Sequence, residues 1–241
     1  MKTQERHHLK QNEFVETVQR VTKWVAENRD QATLTAGAAL LVILVVGGYF
    51  YWQKRTAEQA GIWLGTAMAV AEAPIAPAPS LPGKTQAPNT FPTERARQEA
   101  ALAAFQEVVK RYPSASAGLN ARMEIAATLL ALGRLAEAEQ AYQDVVKQAP
   151  TSFYAPLAKL GLAQTLAAEK QYEKAIASFT DLAAQRDGAL PVDGILMQLA
   201  RTCRKAGKVQ EARAAFKRVV DEFPNSPYTT AARQELTQLG S

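Results

Sequence analysis

The chain has 241 residues, a formal net charge of +5, one cysteine and two histidines. Its charge is mild and spread out, with no basic block interleaved with aromatics, which argues against nucleic acid as a partner. A single cysteine excludes an internal disulfide framework, and the dominance of Ala, Leu, Gln, Glu, Lys and Arg over Gly and aromatic residues favours an all-α chain.

Residues 1–30 place Leu9, Phe14, Val15, Val18, Val21, Thr22 and Val25 at three- and four-residue steps, opposite Glu13, Glu16, Gln19, Arg20, Lys23 and Glu27. That is the pattern of an amphipathic helix. Too short to bury its stripe alone, this tail is expected to lie on a membrane surface or a partner, with Trp24 near the bilayer. His7 and His8 have no third ligand in view, so no metal site is expected.

Gln31 to Gln53 is a run of twenty-three uncharged residues between Asp30 and Lys54. About 20 apolar residues at about 1.5 Å each match a hydrocarbon core about 30 Å thick, so 31–53 reads as a single transmembrane helix in a lipid bilayer. Tyr49, Phe50, Tyr51 and Trp52, followed by Lys54 and Arg55, form an interfacial belt with its polar anchor. The same bulky aromatics stand where a signal peptide would carry small cleavage-site residues, which favours an uncleaved anchor. Gly47 and Gly48 are adjacent and not spaced for close helix pairing. The short tail carries Lys2, Arg6, Lys10, Arg20, Lys23 and Arg29 and is expected to stay cytoplasmic, with the longer C-terminal part across the membrane; Lys54 and Arg55 oppose that orientation.

Residues 54–73 have helical composition, with Ile62, Leu64, Met68 and Ala69 on one side, and are expected to continue from the span. Pro74, Pro77, Pro79, Pro82, Pro88 and Pro92 then make 74–93 an extended, solvated loop, poor in backbone donors and in apolar surface to bury.

Residues 94–241 repeat. Phe105, Tyr142, Phe179 and Phe216 are each thirty-seven residues apart, as are Ala101, Ala138, Ala175 and Ala212. Pro113, Pro150 and Pro224 follow the same step, with Asp187 in the missing place. So do Ala126, Ala163 and Ala200, preceded by Ile125, Leu162 and Leu199 and followed by Leu129, Leu166 and Cys203. Several registers at one period predict a stacked helical solenoid. The alanines are where paired helices approach closely, the aromatics fill the space between hairpins, and Gly133 and Gly207 sit in turns. The prolines end second helices. Cys203, on an apolar face, is read as a buried small hydrophobe. Tyr228 to Leu239 is expected to be a capping helix over the last apolar face.

In such a solenoid the first helices line the inner surface. Asn120, Met123, Leu157, Leu160, Gln164, Met197, Arg201, Arg204 and Lys205 stand a step off the packing register and are the candidate groove residues. Their order, joined by Lys208, predicts a groove grading from apolar to cationic, suited to a protein segment with an acidic end. Paired carboxylates in a plausible cleft, a Ser/His/Asp set, a Gly-rich phosphate loop and metal-ligand spacing are all missing from the sequence, so neither an enzyme nor a cofactor is expected.

At residues such as Ala138, Tyr142 and Pro150 the chain resembles the tetratricopeptide repeat: a small residue, an aromatic four later and a proline eight beyond. The usual step of that family is about thirty-four residues, so thirty-seven implies lengthened junctions. Leu64-Gly65 followed by Met68 resembles the first helix of a further repeat, whose second helix, with Ala101 and Phe105, follows the proline-rich insertion. The junctions at Tyr112-Pro113-Ser114, residues 149–155 and residues 223–228 resemble those of bacterial envelope proteins of the outer-membrane assembly and cell-division coordinator type. Tail, span and repeats together resemble the ancillary subunit family of the SecYEG translocon. That resemblance implies a single-pass protein of the bacterial inner membrane with periplasmic repeats, associating with translocon and chaperones as a scaffold. A structural subunit of a division or outer-membrane assembly complex is the alternative it leaves.

Overall fold

The computed structural model describes residues 16, 18–77, 87–185 and 190–240. The chain divides into two compact units at Arg55 and Thr56, taken separately below.

In the first unit, residues 18–27 are helical, with Val18, Val21, Trp24 and Val25 all exposed. Leu9, Phe14, Val15, His7 and His8 lie outside the described residues. Helix α1 runs Arg29–Ala71. Its most apolar window has a mean hydropathy of 2.0 and none of that window is buried, so by length and composition this helix is able to cross a membrane. Hydroxyls near the start of the stretch are turned back onto the helix: Thr33 donates to the Asp30 carbonyl and Thr35 to that of Gln31, both at 2.9 Å. Further along, the Tyr49 and Phe50 rings meet edge to face at 5.9 Å, and the Arg55 guanidinium lies 5.9 Å from the Tyr51 ring.

The second unit contains the Thr56–Ala71 part of α1, followed by α2 (Glu94–Arg111), α3 (Ser116–Ala131), α4 (Leu135–Gln148), α5 (Tyr154–Ala168), α6 (Tyr172–Ala184), α7 (Val192–Lys205), α8 (Val209–Glu222) and α9 (Thr229–Gly240). The described ends of the proline-rich segment are joined by one parallel bridge between Ile75 and Phe91. There the Ala76 N–H donates to the Phe91 carbonyl at 2.9 Å and the Phe91 N–H to the Pro74 carbonyl at 3.1 Å. Arg97 fastens α2 beside this point, donating to the Ala73 carbonyl at 3.2 Å, while the Arg111 guanidinium lies 4.1 Å from the Trp63 ring on α1.

The helices form hairpins whose turns repeat bond for bond. In the first, the N–H groups of Leu132, Gly133 and Arg134 donate to the carbonyls of Thr128, Leu130 and Leu129; residues 169–171 and 206–208 do the same. This closure needs a left-handed residue. Gly133 (φ 75°) and Gly207 (φ 77°) supply it at little cost, but the third turn uses Lys170 at φ 63°. At the other end of the hairpins, Tyr112, Ala149 and Phe223 leave the helix with ψ of 57°, 59° and 59°, because the proline that follows each disfavours helical backbone.

Successive hairpins are joined through one recurring contact. Phe105 and Val108 pack with Ala121; Tyr142 and Val145 with Ala158; Phe179 and Leu182 with Ile195; Phe216 and Val219 with Ala232. The position of Ala121 recurs every thirty-seven residues through Ala232, so α9 continues the first-helix register and covers the apolar faces of α7 and α8. Cys203 lies inside this core, where burial pushes its thiol up.

The face expected for residues 54–73 is corrected, because Ile62 and Ala69 do not share it with Leu64 and Met68. Gly65 is exposed with open space around it, whereas Ala67 is buried with Ala101 and Phe105, so Ala67 takes the place of Ala126. That puts Ile62 where α3 has Ala121, and without a preceding second helix to cover it Ile62 is 70% exposed. Ala69 is exposed as well, leaving Leu64 and Met68 as the half-buried contacts of this face.

Two stability measurements follow from these contacts. Phe179, with 0% exposure, should cost about 3 to 5 kcal/mol when replaced by Ala; a loss under about 1 kcal/mol in denaturant titration would contradict its place between hairpins. Lys170→Gly should stabilise by about 1 kcal/mol through relief of the left-handed backbone, and a destabilised variant would show that the turn is not strained.

Candidate protein-binding surface

Because each ring spaces one hairpin from the next, the first helices come to lie side by side: α3 packs on α5, and α5 on α7. Asn120 and Met123 on α3, and Leu157, Leu160 and Gln164 on α5, are half-buried on these helices. Met123 also leans on the cluster of Ala126 and Tyr142, and Leu160 on the larger core around Phe179. Leu157 belongs to neither cluster, and Lys159 beside it is exposed.

The expectations for α7 need correction. Met197 is 1% exposed and belongs to the core, because Ile195, Leu196, Met197, Leu199 and Ala200 form an apolar stripe wide enough to be enclosed on several sides. It offers no surface to a partner. Arg201, Arg204 and Lys205 are exposed as expected, but two of them are engaged. Arg204 forms an ion pair with Glu235 of α9, and Arg201 lies 4.0 Å from the same carboxylate. The Glu235 side chain is 16% exposed, so this bridged pair is better shielded than an ordinary surface one. Lys208 is held at 2.6 Å by Glu173 of α6. The cationic end of the groove is therefore largely an internal fastening between α7 and α9, and a Ser226 hydroxyl donating to Asp193 at 2.6 Å adds a second link to α7 near the start of α9.

Two residues that the sequence reading passed over, Gly161 and Glu124, meet Tyr142 of the aromatic register between α3 and α5. Gly161 of α5 has no side chain, and the phenol end of Tyr142 fills its place: a Cβ there would fall 2.3 Å from the ring and 2.7 Å from the hydroxyl oxygen. Glu124 of α3 occupies the same repeat position as Gly161 and is half-buried beside that phenol. Burial raises the Glu124 pKa, and burial first and Glu124 second push the Tyr142 hydroxyl up to about 12. Among the described residues, neither the Glu124 carboxylate nor the Tyr142 hydroxyl has a hydrogen bond or ion pair with the protein. Tyr142 is 4% exposed overall, and its oxygen is not fully sealed from solvent. A signal was present in the sequence: a tyrosine in a phenylalanine register, facing a glycine one hairpin on.

The tetratricopeptide repeat-like domain family matches residues 22–223. The chain belongs to that family. Its repeats are also similar to two crystal structures of nearly identical TPR-like repeats from a kinesin light chain-like protein of Podospora anserina. These are 20% and 22% identical, with TM-scores of 0.52, and in each the match covers 59% of this chain and 77% of the other. At that identity the likeness shows the fold. No curated protein sequence matches the chain. Tetratricopeptide repeats generally bind protein partners, and their fold is typically a scaffold, which directs attention to the first-helix surface just described.

Reversing the charge of Arg201, Arg204 and Lys205 together should lower the melting temperature, since Glu235 would then face acidic side chains; an unchanged melt would mean that α9 is not held by this pair. Glu124→Gln tests the other end of the surface. With its pKa raised, the carboxyl folds most favourably when neutral and costs stability as pH rises through its folded titration. The amide should therefore melt higher at neutral pH and lose that advantage below the usual carboxylate range, where Glu124 is neutral too. An equal shift at both pH values would assign the effect to packing.

Proposed function

We propose that this tetratricopeptide repeat-like protein is a non-catalytic, membrane-anchored adaptor that holds segments of partner proteins along its first helices. The observation that carries this reading is the half-buried surface of α3 and α5. Asn120, Met123, Leu157, Leu160 and Gln164 lie beside an unpaired carboxylate and hydroxyl, a combination of apolar contact and unused polar capacity that suits a docked protein segment. The unburied apolar stretch of α1 supports the anchor. On this reading 31–53 spans a bacterial inner membrane, the basic tail is cytoplasmic and the repeats are periplasmic, where translocon, chaperone and envelope-assembly proteins are the partner classes.

A photo-crosslinking residue at position 157 of the full chain, activated in native bacterial membranes, provides the test. A mixed set of labile protein adducts is the expected result. One stoichiometric partner would favour a structural subunit of an envelope complex instead, and no protein adduct at 157, with adducts at exposed α8 positions, would move the binding surface elsewhere.

A further inference from the structure

We propose that Glu124 and Tyr142 form an anchoring subsite for one basic side chain, lysine or arginine, of the protein segment held between α3 and α5. The inference rests on the adaptor reading and specifies its partner chemistry. A half-buried carboxylate without a cation is a cost in the free protein, because desolvation is not offset by any hydrogen bond. An ammonium or guanidinium supplies both missing interactions at once: a charge-assisted hydrogen bond to Glu124, and a donor to the Tyr142 oxygen, whose lone pairs remain free. Such a pair forms in partly desolvated surroundings and so counts for more than one in open solvent. The methylene stem of the incoming residue has an apolar neighbour in Met123, which packs against the cluster that holds Tyr142.

The alternative charge preference is weaker on the same surface. Arg201 and Arg204 are already engaged by Glu235, which leaves the exposed Lys205 as the open cation of that trio, whereas a basic group at Glu124 meets a half-buried carboxylate and displaces no partner. Tyr142 makes the position distinctive. At the same register Phe105, Phe179 and Phe216 bring the same ring but no hydroxyl, and only next to Tyr142 does a glycine let the ring end reach the surface of the following first helix.

The test is selection of a displayed random peptide library on the full-length chain in detergent micelles, followed by affinity measurement of the winners and of their Lys→Gln or Arg→Gln counterparts. Winners should carry a basic residue whose replacement weakens binding about tenfold, and that difference should vanish in Glu124→Gln and shrink in Tyr142→Phe. Winners that lose affinity in Leu157→Asp yet show no basic residue coupled to Glu124 would overturn the subsite and leave the adaptor surface standing. No winners, or winners indifferent to both Leu157→Asp and Glu124→Gln, would overturn both.

Discussion

Everything in the repeat unit depends on a large ring meeting a small residue across a hairpin junction. Phe105 against Ala121, Tyr142 against Ala158 and Phe216 against Ala232 are the same contact made at one period. Small partners let the backbones approach, and the ring then fills the space at interior density. Where α7 has Ile195 in place of alanine, the extra volume is absorbed by a broader core that also draws in Met197. One contact thus fixes hairpin spacing, and hairpin spacing sets the first helices side by side.

The charged groups are arranged around this frame and do not create it. Among the described residues, most ion pairs link residues three or four apart on exposed helix faces and contribute little. The pairs that matter join different helices: Glu235 to Arg201 and Arg204, and Glu173 to Lys208. The Glu235 pairs act where α9 meets α7 and reinforce an apolar contact already made by Ala232, Leu236 and Leu239, while the Glu173 pair ties α6 to the turn before α8.

The solenoid was legible in the sequence because its physics is local and periodic. Rings, alanines and prolines recur at fixed steps, and turn glycines declare themselves wherever a left-handed residue is needed. Lys170 shows the limit, since the same turn closes without its glycine. The face of α1 was misread at Ile62 and Ala69 because the proline-rich segment interrupts the period, and the covering helix, which buries Ala67, decides it. The fate of the basic residues was illegible for another reason. Arg204 and Glu235 are thirty-one residues apart, and nothing along the chain distinguishes a paired arginine from a solvated one. Glu124 was hidden in the same way, as the single acidic residue of a largely apolar helix.

Tyr142 shows how a structural register acquires chemistry without losing its structural duty. A phenylalanine there would fill the same space and avoid desolvating a hydroxyl, as it does at 105, 179 and 216. The tyrosine keeps the packing, and Gly161 gives its phenol end room to pass between α3 and α5. Adding a Cβ at 161 would force ring and helix apart and disturb the spacing on which the neighbouring hairpin depends. The opening at the surface and the packing beneath it are therefore set by one ring: the same atoms that hold two hairpins in register place an unpaired oxygen beside an unpaired carboxylate. A cost to the free fold is concentrated at that single point, on the surface where the first helices lie side by side.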